Sequence, residues 1–241
     1  MRIVIVRHGD PDYVHDALTE KGKVEAELLS HRMEKMEITE IYQSPLGRAK
    51  ETASYTLQRL HRSAETLEWL KEFDPRIIRP DKLIRKSVAW DWLPQDWTKD
   101  VRFYDYDHWY DNDVMQRGNV KERYKWVCDN FDAFLKEHGY VHENNIFRVE
   151  KGNHDTIVFF CHFGLECILL SHLLHISPMP LWHGFVAAPT SVTIVHTEER
   201  KKGIASFRVA QFGDISHLYV ANEKPAFAAR FAECFEDEEE H

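Results

Sequence analysis

Three short clusters in this sequence have the residue types needed to grip and transfer a phosphoryl group. They are Arg7-His8-Gly9, Ser44-Pro45-Leu46-Gly47-Arg48-Ala49-Lys50-Glu51-Thr52-Ala53 and His162-Phe163-Gly164. A phosphoryl group in flight spreads negative charge over three equatorial oxygens. Arginine is always charged and offers a rigid fork of donors, so Arg7 and Arg48 suit a bidentate clamp on those oxygens. His162 adds a further donor, and a helix opening near Gly164 turns its positive end toward the same anion. Gly9 lets the backbone turn sharply and leaves room for phosphate to approach. His8, neutral near physiological pH, is then the nucleophile for in-line attack. Taken singly each cluster says little: a strand-end histidine is more often structural, and an arginine in a helix's first turn is usually solvated. Their coincidence carries the argument.

Each cluster follows an apolar run that reads as a buried strand. Arg2 to Val6 precedes the first, Ile38 to Gln43 the second and Thr156 to Cys161 the third. In open α/β sheets the carboxyl edge of the strands is where ligands bind. Leu18-Thr19-Glu20-Lys21 opens a helix capped by Thr19, whose expected apolar face is Val24, Leu28 and Leu29, continued toward Met33 and Met36. Pro45 sits where a helix through about Leu60 begins, and a helical run spans Leu165 to Leu174. Ser191 to His196 and Ile204 to Phe212 read as later strands, with Glu198 to Gly203 a hairpin turn between them. Alternating strands and helices predict a three-layer α/β/α domain spanning 1–241, with a mostly parallel sheet covered on both faces.

These clusters, together with Leu18-Thr19-Glu20-Lys21-Gly22, resemble the motifs of the histidine phosphatase (phosphoglycerate mutase-like) superfamily. The resemblance covers residues 1–72 and about 150–212 and is poor between them. It implies a covalent phosphohistidine on His8, with Arg7, Arg48 and His162 completing a phosphate pocket and no metal or other cofactor taking part. The family also needs a carboxyl group that protonates the leaving oxygen and then acts as base toward water. Leu70-Lys71-Glu72-Phe73 fits its usual setting, which assigns Glu72, with Glu68 and Asp74 as competitors and a merely solvated helix end as the plain alternative. Two departures matter. Phe163 stands where the family more often has a glycine, and Asp10-Pro11-Asp12-Tyr13 lacks the pattern of glycolytic mutases. A phosphomonoesterase acting on a small phosphorylated substrate is therefore favoured; a phosphotransferase or mutase and a non-catalytic phosphate-binding module stay as alternatives.

Between the motifs, residues 73–118 interleave Trp90, Trp92, Trp97 and Trp109 with aspartates and show no clean strand–helix rhythm. This stretch reads as a helical insertion on the core, either a lid over the site or aromatic packing. The segment from Trp182 to Ser191 lies where the family often contacts substrate, by analogy alone.

The whole chain of 241 residues has a net charge of −9, which argues against nucleic acid as a partner. No run approaches the length of a membrane span, and the first residues are too short an apolar run for a signal peptide. The four cysteines have no CxxC spacing, so reduced thiols in a cytoplasmic protein are expected, and Cys161 reads as a small buried residue rather than a reactive one. Fifteen histidines include His172 and His175 on one helix and His154 beside Asp155, yet no carboxylate or cysteine completes a recognisable ligand set, which leaves packing or surface roles. Glu236 to His241 reads as a solvated acidic tail. Nothing in the sequence sets the oligomeric state.

Overall fold

The computed structural model describes residues 1–82 and 84–228. The acidic tail and Cys234 lie outside the described residues. In chain order the elements begin with β1 (Arg2–Arg7), a short hairpin of β2 (Pro11–Asp12) and β3 (Ala17–Leu18), α1 (Glu20–Met33), β4 (Glu40–Gln43), α2 (Gly47–Leu60) and β5 (Glu65–Thr66). A second hairpin, β6 (Arg76–Ile78) and β7 (Lys86–Val88), leads into α3 (Pro94–Trp97), α4 (Asp113–Arg117) and the long α5 (Val120–Glu137). Then come β8 (Tyr140–Glu143), β9 (Ile146–Val149), β10 (Thr156–Cys161), α6 (Phe163–Leu174), α7 (Pro178–Gly184), β11 (Val192–Lys201), β12 (Ile204–Asp214) and α8 (Ser216–Val220).

Eight strands form one mixed sheet in the order β5-β4-β10-β1-β11-β12-β9-β8. Parallel pairing joins β5, β4, β10 and β1, while β11, β12, β9 and β8 continue the sheet antiparallel. The parallel centre is apolar on both faces because helices cover both. Ile3, Ile5, Ile157, Phe159 and Cys161 face the α5 and α6 side, whereas Val4, Val6, Val158 and Phe160 face α1 and α2. Alternation of side chains along a strand thus divides one continuous apolar run between two cores. This is the expected α/β/α architecture.

Several boundaries move. The second strand is confined to Glu40–Gln43, and the helix after it starts at Gly47 rather than Pro45. The strand expected to end near His196 runs on to Lys201, so the turn is shorter than read. Thr19 caps α1 as expected, accepting from Gly22 N, but the buried face differs. Gly22, Glu25, Ala26, Leu29, Ser30 and Met33 point inward, while Val24 is exposed. Gly22 fixes this rotation, since a Cβ there would lie 2.3 Å from Asp10 O. Only a glycine lets α1 press against the loop that follows His8.

The insertion contains the β6–β7 hairpin, α3, α4 and a short 3-10 turn over Val101–Tyr104. Trp92, Trp97, Phe103, Trp109 and Met115 belong to the same core cluster as β10 and α6. Trp109 meets Trp182 edge to face at 5.4 Å, and Phe73 stacks on Trp182 at 5.6 Å. Trp90 is partly exposed and reaches toward the start of α6. Among the described residues no helix is long and apolar enough to cross a membrane.

Candidate active site

Strand register brings the three motifs together. Arg7 pairs with Cys161 and Gln43 with Phe160, so β1, β10 and β4 end nearly abreast. The backbone continues this alignment, with His8 N donating to Cys161 O at 3.0 Å and Ser44 N to Phe160 O at 2.9 Å. His8, Ser44 and His162 consequently leave the sheet at one rim, and Arg48 enters from the first turn of α2.

Arg48 sits between the two imidazoles. Its Nε donates to His8 Nε2 at 3.2 Å and its Nη2 faces His162 Nδ1 at 3.2 Å. The His8 and His162 ring centroids are 5.1 Å apart. Gly9 O, an acceptor, lies 2.7 Å from His8 Nδ1, so that nitrogen carries the proton and Nε2 keeps its lone pair. Burial, then the charges of Arg7 and Arg48, hold His8 well below the usual imidazole range. Burial, His8 and the two arginines do the same to His162. Its Nε2 lies 2.7 Å from Ser44 Oγ. Arg7 Nη1 donates to Ala187 O at 2.5 Å, whereas Arg7 Nε is buried without a hydrogen-bond partner. Two guanidiniums and two neutral imidazoles around one point favour an anion.

Of the three competing carboxylates, only Glu72 joins this group. Its Oε1 accepts from Phe73 N at 2.8 Å and Leu165 N at 2.9 Å, and Oε2 lies 3.4 Å from Gly164 N. Burial raises its pKa despite those donors and the two arginines. Glu68 is exposed, and Asp74 points outward to Arg123. Phe163 is buried and meets Trp90 edge to face at 6.3 Å, which packs it against the insertion. Cys161 is buried and its thiol is pushed well above the usual range by that burial, matching an inert core residue.

The remaining motif residues hold loops. Thr52 Oγ1 accepts from Gly9 N at 2.9 Å, and Glu51 Oε2 accepts from Leu18 N at 2.7 Å. The expected reason for Gly9 needs amendment: its φ is not positive, and a Cβ there would lie 2.8 Å from Gly22 O. Close packing on α1 is what restricts it. Asp16 and Glu166 escaped the sequence reading. Asp16 Oδ1 accepts from Arg48 Nη1 at 2.6 Å and Oδ2 from Gly47 N at 2.6 Å, steadying the guanidinium from outside. The β2–β3 hairpin delivers it together with Tyr13, whose ring lies 5.4 Å from Arg48 Cζ. Glu166 lies buried one turn into α6, and burial pushes it up to about 7, against the pull of Thr193 and Arg7. Its spacing four residues after His162 was the available signal.

The segment from Trp182 to Ser191 borders the site through Ala187 O and through Thr190 N, which donates to His8 O at 3.2 Å. The metal question also changes. Asp132 and His142, remote in sequence, lie beside His172, so the fold supplies the carboxylate that sequence spacing lacked.

No curated protein matches the chain. Among solved structures, a phosphoserine phosphatase variant from Entamoeba histolytica in complex with phosphoserine is similar over 90% of this chain and 98% of its own, at 18% identity and a TM-score of 0.60. A mycobacterial glucosyl-3-phosphoglycerate phosphatase gives a TM-score of 0.54 at 17% identity, covering 88% of this chain and 98% of its own. The alpha-ribazole phosphatase from Shigella flexneri gives 0.55 at 18%, covering 87% and 95%. At such identities these likenesses show the fold. The profile of the histidine phosphatase superfamily (branch 1) matches residues 3–210, and the chain belongs to that superfamily.

Proposed function

We propose that the protein is a metal-independent phosphomonoesterase that hydrolyses a small phosphorylated compound through a phosphohistidine on His8. The observation that carries this reading is the meeting of Arg7, His8, Arg48 and His162 at one rim of the sheet, with the Glu72 carboxyl at the start of α6. Similarity to structures of phosphatases for phosphoserine and glucosyl-3-phosphoglycerate supports a small substrate.

In the first step His8 Nε2 attacks phosphorus and the bond to the leaving oxygen breaks. Glu72, whose acid form burial favours, gives its proton to that oxygen. Arg7 and Arg48 hold the equatorial oxygens, and Arg7 Nε has a donor to spare for them. The incoming negative charge reverses the pressure on His162, favouring its protonated, doubly donating form. In the second step Glu72 takes a proton from water, the water oxygen attacks phosphorus, and the P–N bond breaks to release phosphate and restore His8. No step needs a cofactor, and the reading assigns the reaction to the cytoplasm, consistent with three buried free thiols, Cys128, Cys161 and Cys167.

The test uses an aryl phosphate with EDTA present, followed by rapid quenching. Acid-labile phosphate is expected on the protein at His8, with turnover preserved under chelation and lost in His8→Ala. Equal rates from His8→Ala and the unaltered enzyme would support a binding module instead. A phosphoenzyme that forms but releases no free phosphate would point to phosphotransfer.

A further inference from the structure

At the other end of α6 from His162, side chains from three elements converge. Asp132 comes from α5, His142 from β8 and His172 from the last turn of α6. His172 is ten residues beyond His162, a rise of about 15 Å along the helix. Asp132 Oδ1 lies 2.7 Å from His172 Nε2, and Oδ2 lies 3.1 Å from His142 Nδ1. One ligand atom from each residue falls within 4.8 Å of the others.

The outer nitrogens of both rings are also engaged. His172 Nδ1 lies 3.2 Å from the Tyr106 hydroxyl, and His142 Nε2 lies 2.9 Å from His175 Nε2. Without an ion the inner nitrogens donate to Asp132; with one bound, the outer partners take each ring's remaining N–H and leave the inner nitrogen its lone pair. Packing fixes the ring planes: Phe147 stacks on His142 at 4.9 Å and 19°, and His142 meets His172 edge to face at 4.7 Å. His175 reaches the cluster because it ends α6 in the left-handed region, at φ 53°. His172 is 5% exposed, while Asp132 at 31% leaves a path from solvent.

We propose that Asp132, His142 and His172 bind one divalent transition-metal ion of the zinc class, with Tyr106 and His175 as the outer partners that orient the imidazoles. Two imidazoles and one carboxylate are a ligand set that zinc and its neighbours accept, leaving a further position for water. Ligand atoms about 2.0–2.2 Å from such an ion stand roughly 3.3–3.6 Å apart in a tetrahedron, and the nitrogen–oxygen separations of 2.7 and 3.1 Å need only a small withdrawal of the carboxylate to reach that spacing. The ion ties α5, β8 and α6 together far from the phosphate pocket, so its role is to brace the fold and not to take part in phosphoryl transfer.

The experiment uses the whole protein after dialysis against a chelator, titrated with Co2+ followed by absorption and with Zn2+ followed by calorimetry. The expected result is visible Co2+ bands that saturate at one equivalent and are displaced by Zn2+, with a rise in melting temperature. Asp132→Asn and His172→Gln weaken binding at least ~100-fold, and His175→Ala about tenfold, while aryl phosphate hydrolysis is unchanged in all three. His8→Ala keeps the full equivalent. Absence of saturable Co2+ uptake by the unaltered protein overturns the proposal, a result that needs no variant to fold. Equal affinity in Asp132→Asn overturns it too, leaving a carboxylate bridging two imidazoles. Loss of the equivalent in His8→Ala would move the ion to the phosphate pocket and likewise sink it.

Discussion

Glu72 and His8 are perturbed in opposite directions by the same enclosure. Burial disfavours the charged form of each, which shifts the carboxyl toward its protonated form and the imidazole toward its neutral form. Those are the forms that the proposed phosphoenzyme step requires. After correction for the substrate's own ionisation, kcat/KM should therefore be bell-shaped. It falls on the acid side as pH drops through the depressed pKa of His8, and on the alkaline side as pH rises through the raised pKa of Glu72. Glu72→Gln should cost about 10²- to 10⁴-fold in kcat/KM and abolish the alkaline limb, whereas Glu68→Gln and Asp74→Asn should leave the profile intact. A Gln variant that retains the full bell would remove Glu72 from the mechanism. At this scale the meeting of Arg7, His8, Arg48 and His162 was legible because such residues directly after apolar strand runs are chemically conspicuous. Asp16 was not, because what qualifies it is the left-handed kink at φ 50° that aims its carboxylate at Arg48, and no neighbouring residue type announces that kink. Glu166 carried only its spacing from His162 as a signal, and its burial is what sets it apart.

The amino end of α6 is where an element, rather than a residue, does the positioning. Its first N–H groups hold the Glu72 carboxylate, and Trp90 from the insertion packs over the same turn. A Cβ at Gly164 would lie 2.6 Å from Trp90 Nε1 and 2.7 Å from Glu72 Oε1. Gly164→Ala should therefore displace the carboxyl while leaving the arginines in place. A fall in kcat of about tenfold or more is expected, with inhibition by inorganic phosphate unchanged; an unaltered kcat would show that Glu72 works from a different position. Elements buried on both faces announced themselves: Thr156–Cys161 is wholly buried and its limits were read from the sequence as they stand in the fold. By contrast β8 and β9 are short strands with mixed burial, and their alternation is too brief to register. The long α5 did carry a signal that went unread, since Val120, Tyr124, Val127, Phe131 and Leu135 recur at helical spacing on its buried face.

For the molecule as a whole, the contacts of the insertion favour its behaving as part of the core over a lid with its own stability. Its tryptophans, irregular in sequence, gave no element pattern because their partners are distant. Trp109 packs on Tyr124 of α5 and on Trp182 of α7, and Trp97 stacks on His183 of α7 at 5.1 Å. Trp92, Trp97 and Trp109 share one apolar cluster with Phe159 of β10 and Leu165 of α6. Contacts of this kind couple the stability of the parts they join. Unfolding in urea should accordingly be a single transition, with tryptophan fluorescence and far-ultraviolet circular dichroism giving the same midpoint and the same slope. Trp109→Ala, which empties a fully buried site, should lower stability by roughly 3–5 kcal/mol in both signals together. An insertion that opens independently would instead lose its fluorescence signal at lower urea than the sheet and helices lose theirs. In that case Trp109→Ala would shift the early fluorescence step alone, and the insertion would have to be described as a separable lid over Glu72 and Gly164.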